Sequence, residues 1–221
     1  MKEAAEIEGF IRAQTTIMAL PLSPQIELHL AADARGIFQA TETFCGGNGW
    51  PSYWAFAWPG GQALASYISD NPHLVAGKRV LDLGSGSGVG AIAAGKAGAS
   101  RVIAADPDPL AGVAIAINAA RNEVDVQVVT QDVLGAAPDA DLVLIGDLVY
   151  EPELATRVTR LLETTYAKGI DVIWSDRTTA RRPALPFVLL SEYRAPLLPA
   201  LEESHFESAR VWRLGGTERQ A

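Results

Sequence analysis

Four aspartates stand at or near the ends of short apolar runs: Asp82 in RVLDL (79–83), Asp106 in RVIAAD (101–106), Asp132 in VQVVTQD (126–132) and Asp147 in DLVLIGD (141–147). Aspartate is disfavoured in strand interiors, so its recurrence at run ends marks a location. If the runs are parallel strands, their carboxyl ends form the ligand crevice of an open sheet. Any one of these residues could simply cap the following helix. As a set they make an anionic edge suited to a cationic or hydroxyl-rich ligand.

The first run continues into LDLGSGSGVG, where Gly84, Ser85, Gly86 and Gly88 precede a helical stretch. Glycines there permit a tight turn with bare backbone against a ligand, and the helix N-terminus faces the same place. Gly86, Gly88 and Ala91 also meet the spacing of a dinucleotide fingerprint. However, Asp82, just before the first glycine, would repel a pyrophosphate, and no sizeable second domain is left to hold a hydride acceptor. An amino-acid-bearing nucleoside suits the residues better. Asp82 can attract its ammonium, Asp106 its ribose and Asp132 the exocyclic amine of adenine. A nucleotide-dependent oxidoreductase is the weaker alternative.

Such a site needs a parallel sheet to carry it. Short apolar runs alternate with helical stretches from residue 79 to 176, with a fifth run at IDVIWSD (170–176). That alternation predicts right-handed crossover units around a buried sheet. LLSEYRAPLLPAL and ESARVWRL, with no helix between them, predict an antiparallel pair at one edge. Upstream, residues 1 to about 20 read as a helix and PLSPQIELHLA opens an extended stretch ending near ATETF. GGQALASYISDNPHLV reads as a helix stopped at Asn71-Pro72. Residues 1–49 are thus an expected helical and extended appendage, and residues 50–221 the main domain.

Composition narrows the function. The 221 residues carry a formal charge of −8, which argues against nucleic-acid binding and suits a cationic substrate or cofactor. Cys45 is the single cysteine, as suits a reducing compartment. The acidic N-terminus does not look like a signal or transit peptide, and no window is apolar enough to span a membrane, so a cytoplasmic protein is expected. His29, His73 and His205 are scattered, Arg177, Arg181 and Arg182 form a small basic cluster, and nothing calls for a metal.

From about residue 50 to 214 the chain resembles the class I S-adenosylmethionine-dependent methyltransferases, with LDLGSGSG as their glycine loop. The resemblance implies a Rossmann-like, seven-stranded, mostly parallel sheet with helices on both faces and an antiparallel C-terminal strand. It narrows at YWAFAWPGGQALASYISDNP, ASRVIAADPDPLAGVAIAINAARN and GDLVYEPELA. There the chain is similar to the lysine methyltransferases of the electron-transfer flavoprotein beta subunit, within the seven-strand protein lysine methyltransferases. That group's Asp-x-x-Tyr motif falls on Asp147, Leu148, Val149 and Tyr150. The chain departs from it at Val149, where an aromatic residue is usual, and at Ser175–Thr179, where Gly-Asp-Pro-Gly-Arg is usual. The second departure borders the acceptor side, so another protein lysine (for example on a ribosomal protein), a small-molecule amine, or a binding module without catalysis stay open.

The chemistry so implied has one obstacle. A lysine of pKa about 10.4 costs about 4.6 kcal/mol to deprotonate at pH 7. Asp147 is expected to draw the cationic lysine in and Tyr150 to line its channel. Trp50, Trp54 and Trp58 stand four residues apart before the glycine loop. Trp54 and Trp58 could fold across the site, where an indole face attracts a sulfonium or an ammonium. Trp58 is expected to touch the cofactor, and Trp50 to pack against the sheet edge.

Overall fold

The computed structural model describes residues 2–47, 49–135, 138–177, 182–196 and 206–215. The chain opens with helix α1 (Ala4–Gln14) and an antiparallel hairpin of β1 (Thr16–Leu20) and β2 (Ser23–Leu30). The helix predicted to reach about residue 20 therefore stops at Gln14. Thr15, Thr16 and Ile17 are β-branched and suit a pleated surface. The Thr15 hydroxyl also donates back to the Ile11 carbonyl at 2.6 Å, closing the last turn. ATETF, predicted extended, lies instead in helix α2 (Ala34–Cys45). Asp33 caps that helix by accepting the Arg35 N–H, and Gly46 ends it at φ 67°, a left-handed conformation suited to glycine.

The expected alternation follows: α3 (Pro59–Asp70), β3 (Arg79–Leu83), α4 (Val89–Lys96), β4 (Arg101–Ala105), α5 (Pro109–Arg121), β5 (Gln127–Val129), β6 (Leu142–Gly146), α6 (Pro152–Ala167), β7 (Asp171–Asp176), β8 (Phe187–Pro196) and β9 (Phe206–Leu214). The main sheet has seven strands in the order β5-β4-β3-β6-β7-β9-β8. The first five of these are parallel, and β9 is antiparallel to both β7 and β8. This is the α/β architecture predicted, with the last strand inserted antiparallel. β5 is shorter than its apolar run and leaves Asp132 in the following loop.

Alternation along the strands builds a core on each face. Val80, Leu142 and Leu144 pack with α3, α4 and the β1–β2 hairpin, while Leu81, Leu83, Val143 and Ile145 pack with Val158, Leu161 and Leu162 of α6. Residues 1–49 contribute to these layers. Leu20, Ile26, Leu28 and Leu30 belong to the first core, and α1 and α2 enclose Trp54 and Phe56 against α5 in a third.

A single amide links the hairpin to the glycine loop. Asn118 of α5, fully buried, accepts the His29 N–H at 2.7 Å and donates from Nδ2 to the Ser87 carbonyl at 2.9 Å. Asn118→Ala leaves both backbone groups unpaired, and at about 1–3 kcal/mol for each buried orphan a loss of roughly 2–6 kcal/mol is expected. Urea unfolding checks this, and a change under about 0.5 kcal/mol, typical of a surface substitution, contradicts it.

Candidate active site

A cavity of about 530 Å³ opens at the carboxyl ends of β3, β4 and β6, where the winding of the sheet reverses. Another, of about 540 Å³, lies at the amino ends of β4 and β5 and contains none of the predicted site residues.

The glycine loop forms the floor of the first cavity. Gly84 has φ 67°, a left-handed conformation that suits glycine, and a Cβ there would sit 2.3 Å from Leu148 Cδ1, so a side chain would be strained and would displace Leu148 from the loop. Gly86, at φ 55°, faces open space. Asp106 ties the loop to β4: its Oδ2 accepts the Gly86 N–H at 2.9 Å and its Oδ1 the Asp108 N–H at 3.1 Å. Burial raises the Asp106 carboxyl above the usual range.

Of the cofactor-binding residues predicted, Trp58, Gly84, Gly86, Asp106 and Asp132 line this cavity. Asp82, Ser85 and Gly88 lie beneath it. The Asp82 carboxylate, almost wholly buried, accepts the Ser85 hydroxyl at 2.5 Å and the Ala91 N–H at 2.9 Å, and so caps α4 from below. Burial pushes it up to about 6 against the pull of those hydrogen bonds. The sequence aims Asp82 at a ligand's ammonium, whereas in the fold its carboxylate is turned to Ser85 and Ala91 of the glycine loop and α4. Gly88 caps α4 at φ 86°. Asp132 lies at the exposed rim and is paired with Arg157, which holds its carboxyl below the usual range.

Asp147 and Tyr150 close the opposite wall. Asp147 adopts φ 47°, a left-handed conformation that aspartate tolerates better than most residues. Its Oδ2 accepts the Gly60 N–H at 2.5 Å, at the start of α3, and its Oδ1 accepts the Arg177 N–H at 3.1 Å. Burial lifts it to about 6, opposed mainly by the Arg177 guanidinium. The Tyr150 ring lies 5.1 Å from that of Tyr53. Burial, with Tyr53 and two acidic neighbours, pushes its phenol up to about 12. Tyr150 is therefore a neutral wall at physiological pH.

The aromatic segment covers the cavity. Trp58 donates from Nε1 to the Tyr53 carbonyl at 3.1 Å and meets the Tyr53 and Phe56 rings edge-on at 5.9 and 5.6 Å. Trp54 is buried, yet its ring borders the cavity and its Nε1–H has no acceptor among the described residues. Trp50 is 49% exposed at the mouth, which corrects the expectation that it packs against the sheet edge. Sequence spacing missed Tyr53, Asp108 and Arg177. All three line the cavity; of them the sequence marks Arg177 alone, as part of a small basic cluster in the loop that departs from the resembled family. Asp108 caps α5 through the Leu110 N–H, and burial raises it to about 6.

These features fit the group implied by the resemblance. The bare backbone at Gly86 and the carboxylate of Asp106 suit a nucleoside, the buried anions suit a cation, and the volume is that of a small-molecule site. Thr178, Thr179, Arg181 and His205 lie outside the described residues.

Known proteins resemble the chain at two levels. A family model described as ribosomal protein L11 methyltransferase (PrmA) matches residues 63–171. The chain is 38% identical over 179 residues to an electron transfer flavoprotein beta subunit lysine methyltransferase of Homo sapiens, an alignment covering 78% of the chain and 64% of that protein. It is 36% identical over 221 residues to the protein of that name in Danio rerio, covering 94% and 83%. A solved ribosomal protein L11 methylase from Lactobacillus delbrueckii subsp. bulgaricus superposes with a TM-score of 0.50 at 22% identity, covering 71% of the chain and 79% of that structure. At that identity the last match speaks to the fold alone.

The burial of Asp82 generates a prediction. An acid raised from 3.8 to about 6 in the fold favours the folded state below pH 3.8, and that contribution is lost as the pH rises through 6. Asp82→Asn removes this titration. It should therefore raise the melting temperature relative to the parent at pH 7.5, by an amount equivalent to roughly 1–3 kcal/mol. The advantage should vanish near pH 4, and calorimetry at both values checks the difference.

Proposed function

Because the chain belongs to the family of electron transfer flavoprotein beta subunit lysine methyltransferases, we propose that it methylates a lysine of a protein substrate, with that beta subunit as the first candidate. S-adenosylmethionine is the cofactor, and it supplies an electrophilic methyl group on a sulfonium. Gly84 and Gly86 hold it with bare backbone, Asp106 takes its ribose, Asp82 supports the loop from beneath and Asp132 lies within reach of the adenine end. The single observation that carries the reading is the meeting of Asp147, Tyr150 and Trp58 on the wall facing the glycine loop.

The residues of this wall supply what an incoming lysine needs. The indole face of Trp58 and the carboxylate of Asp147 attract the ammonium, while Tyr53 and Tyr150 form an apolar channel that strips its water. Positioning supplies most of the rate in an in-line displacement, because the amine has only to be neutral and aligned. The net charge of −8 favours a basic protein segment over a nucleic acid as partner. No helix among the described residues is long and apolar enough to cross a membrane, and the lone Cys45 supports a reducing, cytoplasmic setting. A second reading, a lysine on a ribosomal protein, is favoured by the match of residues 63–171 to the ribosomal protein L11 methyltransferases.

Transfer of labelled methyl to purified electron-transfer flavoprotein is the test, with ribosomal proteins and free lysine in parallel. Label on a beta-subunit lysine is expected. Label only on ribosomal protein or free lysine discards this substrate, and no transfer to any acceptor discards the enzyme. Asp147→Asn should lower turnover by about 100-fold or more while cofactor affinity stays within a few-fold, because positioning is what is lost. Near-normal turnover would remove Asp147 from the mechanism.

A further inference from the structure

Arg177 stands where the acceptor amine has to arrive. Its guanidinium carbon lies 5.2 Å from the centre of the Trp58 ring, and its Nε is 3.9 Å from Asp147 Oδ1. Its own backbone N–H donates to that same oxygen at 3.1 Å, which pins the residue beside the carboxylate. Trp58 and Asp147 are the two groups that the proposed function assigns to binding the lysine.

Those two groups create a difficulty. An indole face and a buried carboxylate stabilise an ammonium, whereas transfer requires the neutral amine. An opposite charge within 4–6 Å favours the charged form and a like charge opposes it, each by roughly ten- to a thousandfold in the protonation equilibrium. Asp147 alone would therefore capture the lysine and keep it protonated. A permanent positive charge beside Asp147 weakens that hold, and an arginine cannot lose its charge under these conditions.

Resting on the proposed function, we infer that Arg177 is a positioning and specificity residue whose fixed charge offsets the field of Asp147 at the amine, so that a lysine drawn in as a cation sheds its proton there. The Nζ proton leaves to water. The freed lone pair then forms the N–C bond as the C–S bond breaks, the electron pair stays on sulfur as a thioether, and the methylated nitrogen carries the positive charge.

Among the described residues no other group at the cavity replaces this charge. Asp106, Asp108, Asp132, Glu151 and Glu153 are all acids. Among the described lining residues Arg157 is the other cation, and it is paired with Asp132. Asp176, next to Arg177 in the chain, accepts the Trp174 indole N–H at 2.7 Å, and the remaining ionisable lining residues among those described are the phenols Tyr53 and Tyr150.

The test is the pH–rate profile of methyl transfer to purified electron-transfer flavoprotein by the parent enzyme, Arg177→Gln and Arg177→Lys, with cofactor affinity measured by calorimetry. For Arg177→Gln the rise in kcat should move about one pH unit to the alkaline side, with turnover about tenfold lower at pH 7.5 and close to the parent at pH 9.5. Arg177→Lys keeps the charge and should keep the parent profile. A loss equal at every pH, an unshifted profile, or a faster Arg177→Gln with lower KM at pH 7.5 overturns the inference. A shift in Arg177→Lys matching that in Arg177→Gln does so too. Should Arg177→Gln fail to bind cofactor, Arg177→Met takes its place with the same expectation. Failure of the parent enzyme to label any lysine overturns the function beneath the inference, a result distinct from every profile above.

Discussion

The Asp147 carboxylate joins three elements at one point. One oxygen meets the N-terminus of α3 through Gly60, the other meets the end of β7 through Arg177, and the residue itself ends β6 in a left-handed turn. A positive φ on a residue other than glycine costs about 1–3 kcal/mol and persists only where its surroundings enforce it. Here the enforcing contacts are visible, because the carboxylate is favoured at a helix N-terminus and the Asp147 N–H donates to the Ser175 carbonyl at 3.0 Å. The approach is so close that a Cβ on Gly60 would lie 2.6 Å from Asp147 Oδ2, and one on Gly146 would lie 3.3 Å from Gly61. The spelling Trp58-Pro59-Gly60-Gly61 follows from that contact. Pro59 starts the helix without losing a hydrogen bond, Gly60 admits the carboxylate and Gly61 admits Val89.

The same closeness explains the electrostatics. Asp82, Asp108 and Asp147 each have their acidity weakened to about 6 by burial. Asp147 has the Arg177 Nε 3.9 Å from its Oδ1, while Asp132 is paired with Arg157 at the rim. A site prepared for a cation has this character: buried anions held by backbone N–H groups keep their attraction for an incoming charge. The destabilisation they bring is borne by the cores on the two sheet faces.

The aromatic segment and the N-terminal residues form one further layer. Trp54 and Phe56 are held between α1, α2 and α5, so the wall carrying Tyr53 and Trp58 is fixed from outside the sheet. Asn118 then links the hairpin to the glycine loop across α5. The first 49 residues thereby reach both the cover of the cavity and its floor.

Much of this was legible along the chain. The sheet class, an antiparallel pair at its edge and the site edge at Asp82, Asp106 and Asp147 follow from local features: apolar runs of strand length, helical spacing between them, and aspartates at the run ends. The insertion of the last strand between its neighbours was implied only by the family resemblance. The glycine loop and the Trp-Pro-Gly-Gly entry are equally local, because the need for absent side chains is written into single residues. Two short-range patterns misled. The β-branched residues at 15–17 outweighed a helical reading, and the caps Asp33 and Gly46 outweighed an extended one. What only the tertiary structure decided is which groups face the cavity. Asp82 went beneath the loop because the Ser85 hydroxyl and the Ala91 N–H turn its carboxylate away from the wall, and Arg177 joined Trp58 and Asp147 from more than a hundred residues along the chain from Trp58. Spacing records neighbours in the chain, whereas burial, charge and hydrogen bonding between distant segments are settled by the folded packing alone.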